Sequence, residues 1–340
     1  MHSTATVLAS SQLHTIGSPW LWAATIVGVL LLLVLDFAVT RRPHEVSMRE
    51  ALGWTAFYLA LPITFGIVIW AAYGSRPGTE FFTGYLLEKS LSVDNLFVFM
   101  LLLAAFAVPA RLAQRVLLFG IAGALVLRGV FIALGAAALA SLDWAFLLFG
   151  AILLLTAAKL LKDTLTGQET EVEISSMRSV RLLRRLLPVT DDYRGTRLSV
   201  REAGRRALTP LALVVAAVMT TDLVFAVDSV PAVYGVTGDP YLVFATNAFA
   251  LLGLRALYFV LHAALSRLVH LAYGLALILA FIGVKLVLHW AHEVWAGVPQ
   301  IPTAASLLVI VVVLAVVTAT SLWATRGENE NDSTPTTSAS

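Results

Sequence analysis

The chain contains no cysteine, and only 13% of its 340 residues are charged. Without cysteine there can be no disulfide, no thiolate metal ligand and no thiol redox chemistry. A soluble domain carries about 25% charged residues. A chain with half that share, and 59% hydrophobic residues, is expected to reside in a bilayer. It also lacks a glycine-rich phosphate loop, a nucleophile elbow and a dinucleotide fingerprint. ATP-driven transport and hydrolytic chemistry are therefore unsupported, and the chain reads as a non-enzyme. The first nineteen residues hold no Lys or Arg, so the basic region of a cleaved signal peptide is missing. The apolar run that follows reads as a retained span.

What the sequence has in abundance is apolar length. A membrane span needs about 20 mostly apolar residues. Nine segments qualify: roughly 20–39, 50–73, 81–107, 116–140, 144–161, 207–235, 241–261, 268–289 and 302–325. The expected fold is an all-α polytopic membrane protein of about nine transmembrane helices. Lys and Arg are placed very unevenly between the two sets of connections. One set (the 1–2, 3–4, 5–6 and 7–8 loops with the C-terminus) holds 17, and the other holds only Arg76. The positive-inside rule then puts the N-terminus outside the plasma membrane and the C-terminus in the cytoplasm. The basic cytoplasmic loop, 162–206, is the longest polar insertion. Its Arg178–Arg206 stretch reads as a surface helix near anionic lipid, and nothing in it suggests nucleic acid. The tail, 326–340, is polar enough to be disordered.

The rare residues repeat. "EKSLSVDNLFVF" sets Glu88 six residues before Asp94, which is followed by Asn95. "DLVFAVDSVPAV" sets Asp222 six residues before Asp228, which is followed by Ser229. The next spans carry "LVLRGVF" with Arg128 and "LLGLRALY" with Arg255, and the spans after those end near Lys159 and Lys285. Spans 3–5 (81–161) and 6–8 (207–289) thus read as one three-helix unit used twice. Because three is odd, the second copy enters from the opposite side. That is a 3+3 inverted repeat, an architecture of secondary transporters whose site lies between the repeats near the midplane. The helices at 20–80 precede the repeats, and 290–325 supplies a last loop and the ninth helix.

Each charge at a helix centre costs ~2.5–3.5 kcal/mol. Asp36, Glu88, Asp94, Asp222 and Asp228 must therefore pair or line water, as must Lys89, Arg128, Lys159, Arg255 and Lys285. Arg128, Arg255 and Lys89 read as charge-balancing cations, Asp36 as a further buried acid, and the lysines at 159 and 285 as snorkelling. Glu88, Ser92 and Asn95 share one helical stripe, which Asp222 and Ser229 repeat. Asp94 and Asp228 fall about 120° away on a regular helix. Pro231 makes unwinding of the sixth span an expectation. Carboxylate, amide and hydroxyl oxygens suit hard divalent cations such as Mn, Mg or Ca. Asn247 could add another oxygen. His289, His292 and Glu293 have ligand spacing but lie at a span end, where polar residues are ordinary.

"FFTGYLLEKSLSVDNLFVF", "RRLLPVTDDYRG", "DLVFAVDSVPAV", "NAFALLGLRALYF" and "LLVLDFAVTRRPHEVSMREALGW" resemble the TerC family of membrane proteins, over roughly residues 20–325. The family was named for tellurium resistance and is grouped with LysE-type transporters. The resemblance implies efflux of a divalent cation such as Mn(II), with no permanently bound cofactor. It also implies a role for Glu88, Asp94, Asn95, Asp222 and Asp228 as motif residues, with Asn247 and Arg255 in a third motif. Asp94 and Asp228 become the central ligands, flanked by Glu88 and Asp222 as ligands or proton carriers. The alternative is a non-transporting scaffold that docks membrane-protein partners in a stress-resistance complex. A third is an oxyanion site on Arg128 and Arg255. One departure stands out: Met219 occupies a position where the family pattern has Glu.

Overall fold

The computed structural model describes residues 15–39, 47–142, 144–166, 188–190, 192–202, 205–262, 270–295 and 297–332. Its helices are α1 (Pro19–Val39), α2 (Met48–Tyr73), α3 (Ser75–Ala105), α4 (Ala110–Ser141), α5 (Ala145–Thr166), α6 (Pro210–Tyr234), α7 (Pro240–Leu252), α8 (Leu254–His262), α9 (Leu271–Val294) and α10 (Thr303–Asp332). Seven of them are long and apolar enough to cross a membrane, and α7 with α8 forms an eighth candidate bent by 41°. The helix that does not qualify is α3, although it is 31 residues long. Glu88, Lys89 and Asp94 interrupt its apolar character. The chain is a polytopic all-α membrane protein.

Local signals account for the helix ends. Ser47 accepts from the Glu50 amide to cap α2, and Glu50 supplies the acidic first turn. Asp239 caps α7 through the Tyr241 amide at 2.9 Å, with Pro240 at the first helical position. Only Gly74, at φ +94°, separates α2 from α3. Glycine tolerates that left-handed backbone where other residues are strained.

The two triplets interleave rather than pack as separate blocks. α3 lies against α7, α4 against α6, and α5 against α9. At the α5–α9 crossing Gly150 and Gly283 allow the backbones to meet. A Cβ on Gly150 would lie 2.9 Å from the Gly283 carbonyl oxygen. Such close approach through small residues is the usual route to helix association in lipid. One end of the bundle is closed by an apolar cluster that includes Leu102, Leu112, Val116, Leu211, Val215 and Leu254. The outward faces of α1 and α2, with Leu31 and Ile67 exposed, are left for lipid.

Three sequence expectations require correction. The surface helix expected within Arg178–Arg206 is absent from its described part. Residues 178–187, 191, 203 and 204 lie outside the described residues, and the described remainder holds an antiparallel strand pair, β1 (Ser199–Glu202) with β2 (Arg205–Leu208). The hairpin pairs Arg201 with Arg206 and carries Arg205 beside them, so these three basic residues sit on a short two-stranded ribbon. The sixth span does not unwind at Pro231, because α6 is continuous through it. The break falls in the seventh span instead, at Gly253 between α7 and α8. The tail expected to be disordered from 326 is helical to Asp332, while 333–340 lie outside the described residues.

Candidate functional site

Arg128, on α4, has no exposed surface and organises the middle of the bundle. It donates to Asp222 of α6 through Nε to Oδ2 at 3.1 Å and Nη2 to Oδ1 at 3.2 Å. Its Nη1 donates to Glu88 Oε1 of α3, and at 2.8 Å to Asn247 Oδ1 of α7. Asn247 is oriented by its own Nδ2, which donates to the Val243 carbonyl at 2.9 Å. One guanidinium thus holds a carboxylate from each triplet and an amide from the seventh span. The fork geometry of arginine suits this bridging role.

The network leaves polar atoms over. Glu88 Oε2, Asn95 Nδ2 and Ser229 Oγ are buried without a hydrogen-bond partner. Ser229 faces Glu88 across the α3–α6 contact without hydrogen-bond geometry. Asp228, on the next residue, is half-buried and lies within electrostatic reach of Glu88 and Arg128. It forms no ion pair among the described residues. Three carboxylates therefore share a buried region with one guanidinium and, within electrostatic reach of Glu88, the Lys89 ammonium, which leaves the acids in excess. Uncompensated buried charge is costly, and such a region must be neutralised by a cation or by protons. The side chain of Asp94 lies outside the described residues, so its part in this balance is not described.

The other sequence-picked charges separate from this centre. Arg255 on α8 is bound to Asp36 of α1, with Nη2 to Oδ1 at 2.7 Å and Nε to Oδ2 at 3.3 Å. Its guanidinium also lies 5.9 Å from the Trp54 ring centroid. The bend at Gly253 carries Arg255 away from the position that Arg128 occupies in the first triplet. Lys89 does not balance an acid by direct pairing. Its Nζ donates to the Ala250 carbonyl at 3.4 Å. That carbonyl belongs to the last turn of α7, where the break leaves acceptors unbonded and a cation meets the negative end of the helix dipole. Lys285 reaches Ser306 Oγ at 3.0 Å rather than an interface. His289 packs edge-on to Phe146. Among the described residues, no group of three or more carboxylate or imidazole side chains is placed to hold a metal ion in this arrangement.

Met219 lies against Gly123 of α4, where an added Cβ would be 2.3 Å from its Cε. The thioether fills the α4–α6 contact one turn from Asp222, so this corner of the network is apolar.

A cavity of about 830 Å³ opens at the bundle end that carries the start of α3 and the α6–α7 connection. Arg76, Glu80, Tyr234, Thr237, Lys285 and Thr303 are among its lining residues. Glu80 Oε2 accepts from Thr237 Oγ1 at 2.7 Å, and Oε1 accepts from Arg76 Nε at 3.0 Å. Glu80 escaped the sequence reading because it lies at the presumed edge of span three. A signal was present: eight residues before Glu88 is a little over two helical turns, which places both acids on one face.

The fold defines a polytopic membrane protein with a buried, charge-unbalanced centre between its helices. Comparison with known proteins narrows this. The family described as "Integral membrane protein TerC family" matches residues 73–329, and the chain belongs to that family. An uncharacterised membrane protein of Mycobacterium tuberculosis is 44% identical over 322 residues, covering 91% of this chain and 81% of that protein. A Myxococcus xanthus membrane protein, also uncharacterised, is 42% identical over 273 residues, covering 80% and 84%. In Escherichia coli a protein provisionally named membrane-bound redox modulator Alx is 38% identical over 322 residues, covering 92% and 97%. No solved structure matches the chain.

Proposed function

We propose that this protein exports a divalent cation, Mn(II) in the first instance, from the cytoplasm across the plasma membrane in exchange for protons. The observation that carries the reading is the excess of Glu88, Asp222 and Asp228 over Arg128 and the nearby Lys89 in a buried centre. A dication, or protons in its place, is what such a centre lacks. Oxygen donors from Asp94, Asp228, Asn95 and Asn247, with Glu88 and Asp222 beside them, have the hardness that Mn(II) prefers. In the arrangement described, Arg128 occupies Glu88, Asp222 and Asn247. Binding therefore requires a shift that loosens one of these contacts, as alternating access supplies.

The energetics favour an antiporter over a uniporter. An inside-negative potential opposes outward movement of positive charge by about 2.3 kcal/mol per charge per 100 mV. Without a nucleotide motif, an incoming ion must supply the energy, and a carboxylate emptied of metal is ready to take a proton. The redox role in the name of the Escherichia coli relative cannot rest on thiols here, since the chain has no cysteine. Control of a redox-active metal would reach the same end by another route.

A scaffold role is the second reading, and the closed Arg128 network favours it, because structural ion pairs look the same. Tellurium resistance would then depend on protein partners in the membrane. An oxyanion carrier gains little: Arg128 and Arg255 are both bound to carboxylates.

Flux separates these. In proteoliposomes of purified protein, a proton gradient directed against Mn(II) movement should accelerate that movement several-fold, and Glu88→Gln should abolish the acceleration. Mn(II) flux indifferent to the gradient would end the antiport proposal, and no flux at all would move the scaffold ahead. Orientation has its own check. A reporter fused after Gln168 should be cytoplasmic and one after Gly238 external. Both on one side would remove the inverted repeat.

A further inference from the structure

The open cavity and the charged centre are joined by one stripe of side chains, arranged as three rungs. On α3 the stripe is Glu80, Gly84 and Glu88, spaced by four. Opposite it, Thr237 follows the end of α6, and Val233 and Ser229 lie within that helix, also spaced by four and running the other way. The outer rung is the hydrogen bond from Thr237 Oγ1 to Glu80. The inner rung is Ser229 facing Glu88, each with a buried oxygen left unpartnered. Between them lies Gly84. A Cβ there would be 3.3 Å from Val233 Cγ1 and 3.2 Å from Thr246 Cγ2.

The middle rung is dry. Thr246 spends its hydroxyl on its own helix, donating to the Leu242 and Val243 carbonyls at 2.9 and 3.0 Å. Its methyl is the group nearest Gly84, and the hydroxyl oxygen, 3.6 Å from the same Cβ position, is already satisfied by its own helix. Val233 is fully buried. An apolar constriction thus separates two polar levels, each one helical turn, or about 6 Å, away. Short apolar constrictions stop ions by excluding water, without any charged plug. Glycine at position 84 lets the helices meet closely enough to form it.

We infer that the Gly84–Val233–Thr246 contact is the outer gate of the ion route, dividing the charged centre from a release cavity headed by Glu80 and Thr237. This rests on the export reading. The same end of the bundle offers a hydrated dication the room to regain its water shell in the cavity. The opposite end is sealed by the larger apolar cluster around Leu102, Val116 and Leu211. The described conformation therefore has its thin barrier toward the cavity. Pro231 lies between the gate and Ser229 and contributes no amide to the helix ladder, which weakens α6 where opening would bend it.

The native chain has no cysteine, so single thiols can be read directly. Thr237→Cys and Ser229→Cys are each treated in whole cells with a charged, membrane-impermeant thiol reagent, and total thiol is measured after denaturation. Thr237→Cys should label fast and Ser229→Cys at least an order of magnitude more slowly. Adding Val233→Thr, which keeps the shape and wets the gate, should raise the Ser229→Cys rate about tenfold, while Val233→Ile should lower it. Equal labelling of the two thiols, or a Ser229→Cys rate that ignores both Val233 variants, overturns the gate. Labelling needs no metal. A chain that labels in the expected order but carries no Mn(II) sinks the export reading alone, leaving the constriction in place.

Discussion

Replacing Arg128 by methionine is expected to remove most of the protein from the membrane. The substitution preserves length and removes the only cation that touches Glu88 and Asp222 among the described residues. Two carboxylates would be stranded in a region with no solvent exposure. Breaking a buried pair by removing one partner costs about 3–5 kcal/mol, a large part of the ~5–15 kcal/mol that holds a typical domain together. Steady-state abundance in the membrane fraction and the unfolding temperature in detergent should both fall. Adding Glu88→Gln and Asp222→Asn to Arg128→Met removes the stranded charge and should recover abundance without recovering metal flux. Wild-type abundance for Arg128→Met alone would show that the acids are held by something else.

Asp228→Asn should behave in the opposite way, with full abundance and lost function. Asp228 forms no ion pair among the described residues, so neutralising it strands nothing. If it is a central ligand, a manganese-sensitive host carrying this variant should lose metal protection completely. Asp94→Asn is expected to do the same. Asp222→Asn should lose function and abundance together, because it also breaks the bidentate pair with Arg128. Measuring protection and membrane abundance side by side for all three tests the division. Normal protection by Asp228→Asn would exclude that residue from the site.

Helix existence and the bilayer setting were legible in the sequence, because apolar runs of about 20 residues match the thickness of a bilayer and little else. So was the special status of the acids, since a charge in a span must be accounted for. Their partners were not legible. Arg128 and Arg255 occupy equivalent motif positions, yet Arg128 gathers acids from both triplets while Arg255 turns to Asp36. The two spans differ at Gly253, where the seventh breaks; glycine is a common helix stop, but a lone one inside an apolar run is also tolerated within helices. Proline was the more obvious breaker, but Pro231 is tolerated in α6 and the helix continues. Lys89 read as a charge-balancing cation, and Glu88 is its neighbour in the chain. On a helix, adjacent residues point about 100° apart, and its ammonium meets the end of α7 instead. The hairpin at 199–208 was hidden by arginine content, which marks a surface without specifying its backbone.

The contacts of α1 bear on the order in which the molecule can be put together. Thr15 and the Ile16 amide reach Asp239 at 2.6 and 2.7 Å. Thr25 bonds Tyr241 at 2.7 Å, and Asp36 meets Arg255. Every one of these partners is synthesised more than 200 residues after the group it binds. These four bonds of the α1 region thus form only once the seventh span is made, after the α1 contact of Phe37 with Phe119 on α4 has become possible. Until the seventh span arrives, Asp36 lacks its arginine and has only nearer groups such as Tyr58 of α2 within reach. Ordering by such distant contacts makes the latch between α1 and the α7–α8 bend close only in chains whose seventh span is already in place.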